Sequence, residues 1–62
     1  MTSTIVKTIS LYGDYYEIFY RDNLILRVIR YPSDTQIPRE VLFRDLHETV
    51  KAGILNKLTE KD

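Results

Sequence analysis

The chain has no cysteine and no tryptophan, and only two glycines, two prolines and one histidine. Without cysteine there is neither a disulfide framework nor a thiolate metal site. Nine basic and nine acidic residues cancel to zero net charge, which counts against a protein that grips duplex nucleic acid through its phosphates. No apolar run approaches the roughly 20 residues needed to cross a bilayer. The N-terminus also lacks a charged stretch leading into an apolar core. These absences set the expectation of a cytoplasmic chain with no membrane partner and no cofactor.

Catalytic chemistry is equally thin. The single histidine, His47, has no pattern around it that suggests an activated nucleophile, and reads as a solvated helix residue. One histidine with scattered carboxylates gives no metal-ligand spacing. Asp45 and Glu48 read as the two ends of a helix-capping box rather than as ion ligands. Gly13 and Gly53 stand alone, so no loop is built to cradle phosphate. Enzymatic activity is not expected.

What the chain does have is aromatic and β-branched strand sequence. From Tyr15 to Tyr31, two such runs flank Asp22-Asn23, a pair able to adopt the positive φ values of a two-residue hairpin turn. That turn then gives one face with Tyr16, Ile18, Tyr20, Ile25, Ile29 and Tyr31, and Arg27 as its one charge. The other face carries Tyr15, Glu17, Phe19, Arg21, Leu24, Leu26, Val28 and Arg30. Neither face is purely polar. This assignment depends on the turn, because one extra residue exchanges the faces.

Upstream, Ile5, Lys7, Ile9 and Leu11 alternate with Val6, Thr8, Ser10 and Tyr12. A turn at Gly13-Asp14 would set Ile9 opposite Ile18 and Leu11 opposite Tyr16, adding both to the first apolar face. Downstream, residues 32–38 carry turn chemistry. Residues 39–44 fit either a fourth strand or a first helical turn, with an extended edge segment favoured. From Asp45, Leu46, Val50, Ile54 and Leu58 recur as the stripe of an amphipathic helix over about 45–58. Met1 to Thr4 is expected to fray, and Thr59 to Asp62 to form a charged tail.

The predicted fold is a single small α+β domain, residues 1–62. An antiparallel β-meander over about 5–31, three-stranded or four-stranded if residues 39–44 are extended, packs on one C-terminal amphipathic α-helix. One helix covers one face. The second face then meets a partner, and its candidate interface residues are Tyr12, Tyr15, Phe19, Arg21, Leu24, Leu26, Val28 and Arg30. Tyr, Phe and Arg are what protein interfaces are enriched in. A small scaffold without disulfides also gains burial by pairing with itself. The expectation is a non-enzymatic interaction module, a homodimeric adaptor, regulator or accessory protein. The alternative is nucleic-acid binding by the same aromatic and arginine residues, disfavoured by Glu17 in the patch and by the absence of excess positive charge.

Overall fold

The computed structural model describes residues 3–60. The expectations for Met1, Thr2, Lys61 and Asp62 lie outside the described residues. Four strands, β1 (Ile5–Leu11), β2 (Asp14–Arg21), β3 (Leu24–Tyr31) and β4 (Arg39–Val41), form one antiparallel sheet in the order β1-β2-β3-β4. A 3-10 turn at Phe43–Asp45 leads to helix α1 (Glu48–Thr59). The meander with a C-terminal helix is the fold read from the sequence. Residues 39–44 supply both alternatives in turn, a three-residue strand and then a tight helical turn.

The β2–β3 turn is as expected. Asp22 and Asn23 have φ of 52° and 64°, the paired positive values whose twist matches the flanking strands. Between β1 and β2 the turn residues are Tyr12 and Gly13, at φ 51° and 86°, not Gly13-Asp14. Ile9 therefore faces Tyr16, and Leu11 faces Asp14. The shift is two residues, so every side chain keeps its face. A left-handed conformation costs Tyr12 about 1 kcal/mol. In exchange Asp14 joins β2, where its carboxylate accepts hydrogen bonds from Arg30 and from the Ser33 amide.

A β-bulge changes the faces of β3. Tyr20 pairs with Ile25, but Phe19 pairs with Arg27, leaving Leu26 as an extra residue. Beyond it Ile18 faces Val28 and Tyr16 faces Arg30. Val28, expected on the uncovered face, is 1% exposed and belongs to the core with Ile9, Tyr16, Ile18 and Ile54. Arg30 turns with it to the helix side. Ile29, Tyr31 and Arg27 make the reverse exchange.

Helix α1 lies on the Ile9, Tyr16, Ile18 and Val28 face. Ile54 is fully buried, while Leu46, Val50 and Leu58 pack against the core as the stripe predicted. Leu42 precedes the 3-10 turn and is exposed. Gly53 permits the close approach: a Cβ there would stand 3.1 Å from Leu11 Cδ2. Lys7, the charge on β1's covered face, donates from Nζ to the Lys57 carbonyl at 2.9 Å. That places a cation at the helix C-terminus, where free carbonyls and the dipole favour one. The helix starts at Glu48, not Asp45. His47 is the N-cap, its Nδ1 accepting from the Thr49 amide at 3.2 Å, and Asp45 closes the preceding 3-10 turn, so no Asp45–Glu48 capping box forms.

Candidate partner interface

The face of the sheet opposite α1 is built by alternation along the strands. β1 presents Val6, Thr8 and Ser10; β2 presents Tyr15, Glu17, Phe19 and Arg21; β3 beyond the bulge presents Arg27, Ile29 and Tyr31. Of its apolar side chains, Val6 is 49% exposed, Tyr15 57% and Leu24 63%, while Phe19, Ile29 and Tyr31 are half-buried among their neighbours. Phe19 sits at the centre, opposite Arg27 on one side and Val6 on the other. Isolated exposed apolar residues are ordinary; a contiguous group on one flat face is not.

Of the eight residues singled out by sequence, Tyr15, Phe19, Arg21 and Leu24 share this face. Leu26 sits beside them at the bulge, half-exposed. Tyr12 stands at the turn, 71% exposed. Val28 and Arg30 are on the helix side, for the reason given by the bulge. Val6 of β1 was missed, and so on β3 were Arg27, Ile29 and Tyr31. The signal for those on β3 was Leu24-Ile25-Leu26, three consecutive apolar residues that break a strand's alternation and mark an inserted residue.

Charge on this face is partly matched within the chain. The Arg27 guanidinium lies over the Phe19 ring, 5.5 Å from its centroid, and reaches Glu40 on β4 at 3.3 Å. The ring thus acquires an attractive cation on its face. Glu17 does not pair with Arg30, as adjacency on one face would have it. Its Oε1 instead accepts from the Tyr31 hydroxyl at 2.5 Å, and this bond holds the Tyr31 phenol above its ordinary pKa. Arg30 binds Asp14 on the other side of the sheet.

At one end of the face, Thr8, Tyr15, Glu17, Tyr31, Pro32 and Gln36 line an open groove of about 510 Å³. Tyr15 and Tyr31 are direct cross-strand partners, so two phenol rings and one carboxylate meet there. Such a groove suits a flat cation, which can stack on the rings and bind the carboxylate. Among the described residues, no group of three His, Cys, Asp or Glu side chains is placed to hold a metal ion. Among the same described residues, no helix is long and apolar enough to cross a membrane. Comparison with protein-family models, with curated proteins and with solved structures finds no match to this chain.

Proposed function

We propose that the chain is a non-enzymatic protein-interaction module that works as a homodimer, joined through the sheet face that α1 leaves uncovered. The carrying observation is the cluster of Val6, Tyr15, Phe19, Ile29 and Tyr31 on that face, with α1 packed on the opposite one. Three strands of seven or eight residues span roughly 25 by 14 Å. Corrugated by side chains, two such faces bury on the order of 1,000 Å², the lower bound of a specific interface. A short chain without disulfides gains most from covering a second face. An adaptor, regulator or accessory protein is the role proposed for such a module, in a cytoplasmic setting that the cysteine-free composition fits.

Single-stranded nucleic acid is the weaker reading. Phe19 and Tyr15 could stack bases, but Glu17 lies among them, Arg27 is engaged by Glu40, and Arg30 faces away. The deciding measurement is solution mass by light scattering at two concentrations tenfold apart. We expect twice the 7.4 kDa chain mass. Phe19→Glu should give a folded monomer, weakening association by at least about 30-fold, as loss of a central aromatic anchor does. A parent protein of single-chain mass at both concentrations would refute the proposal. Salt-sensitive binding of a single-stranded oligonucleotide by that monomer would favour the alternative.

A further inference from the structure

The uncovered face carries four charged side chains among the described residues, Glu17, Arg21, Arg27 and Glu40, and two of them are matched within the chain. Arg27 binds Glu40 across β3 and β4. Glu17 receives only a neutral phenol, and Arg21 makes no ion pair or side-chain hydrogen bond. The two unmatched charges are opposite in sign and lie on the same strand with Phe19 midway between them. Four residues of strand separate them by roughly 13 Å. That separation prevents them from meeting within one chain.

The geometry points to a defined register for the homodimer: a two-fold axis crosses β2 at Phe19, and Arg21 of each copy enters the Tyr15–Glu17–Tyr31 groove of the other. This inference rests on the reading of the uncovered face as a self-interface. An axis there runs the two β2 strands in opposite directions, sets Phe19 against Phe19, and lays residue 21 of one copy over residue 17 of the other. Symmetry makes the contact twice, as an isologous interface requires. The groove's chemistry matches what it would receive. Tyr31 occupies one acceptor position of the Glu17 carboxylate, the other oxygen remains for a guanidinium, and two phenol rings flank it for stacking. Packed sheets lie about 10 Å apart, a gap an arginine and a glutamate span together. The opposite alignment, with the strands parallel, would set Glu17 on Glu17 and Arg21 on Arg21. Like charges then select against it.

The test is a charge exchange, read as the dimer dissociation constant by sedimentation. Glu17→Arg and Arg21→Glu, taken singly, should each weaken the dimer by about tenfold or more. The double variant should return to within about threefold of the parent, because each altered residue again meets its opposite. Mixed in equal amounts, the two single variants should form heterodimers, since one carries two positive residues at these positions and the other two negative. Glu17→Gln and Arg21→Gln, milder in their effect on the strand, should weaken the dimer in the same direction and serve if a reversal disturbs folding. Single variants that dimerise like the parent, or a double variant weaker than either, would overturn this register. If Phe19→Glu still dissociated the dimer, the face would remain the interface. A parent found to be monomeric removes the interface itself.

Discussion

Asp14 shows how much one side chain can join in a chain this short. Its Oδ2 accepts from Arg30 Nε at 3.1 Å and Nη2 at 2.8 Å, and its Oδ1 accepts from the Ser33 amide at 3.1 Å. One carboxylate thus links β2, β3 and the loop after β3. The Arg30 hydrogen bonds, followed by the Ser33 amide, hold its carboxyl below the ordinary aspartate value of 3.8. A depressed folded-state pKa means the native state favours the ionised form. Its contribution is therefore complete above the unfolded value and is lost as pH falls through the folded one. Asp14→Asn should lower the urea midpoint at neutral pH and flatten the loss of stability below about pH 4. Glu48, depressed by Lys51, leaves some acid dependence behind. Urea midpoints from neutrality down to about pH 2.5 check this; an acid limb as steep as the parent's would mean Asp14 is not its source. Tyr16 and Tyr31 run the other way. Burial raises Tyr16 and the Glu17 bond raises Tyr31 above 10.0, so what they contribute is present below pH 10 and lost above it.

At the scale of elements, the sequence was most readable where two signals coincided. Asp22-Asn23 is both a turn pair and the break between two β-rich runs, and that turn stands as read. The Gly13 turn was misplaced by one residue, because Gly13-Asp14 and Tyr12-Gly13 both contain the glycine and only the tertiary bonds of Asp14 choose between them. The helix start was misjudged for a similar reason. Asp45 and Glu48 have capping-box spacing, but Asp45 is taken by the 3-10 turn and His47 caps instead. The bulge mattered most, since it moved five residues of β3 to the opposite faces. It also makes a prediction that runs against habit. Deleting Leu26 keeps every pairing, because Arg27 then follows Ile25 directly and still faces Phe19. The deletion should leave a folded domain, changed by no more than about 2 kcal/mol. Inserting alanine after Arg27 should instead turn Val28 out of the core and abolish folding. Far-UV circular dichroism with urea titration separates the two; an unfolded deletion variant would show that the bulge's local twist is itself required.

For the whole molecule, the decisive fact is how little one helix can bury. Among the described residues the core holds five buried side chains, Ile9, Tyr16, Ile18, Val28 and Ile54. So few fully buried side chains leave a narrow stability margin in a chain of this length. The uncovered face is where more burial is available, so assembly and stability should be one equilibrium. A dimer that unfolds to separate chains gains stability with total concentration by mass action. For a domain of this length the Tm should rise by about 3–5 °C for each tenfold increase in protein. Phe19→Glu should lose this dependence and melt at one temperature throughout, lower than the parent's. Calorimetry over a hundredfold range of concentration makes the measurement. A parent Tm that does not move would mean that the domain folds on its own core alone, and that the aromatic face serves a partner other than itself.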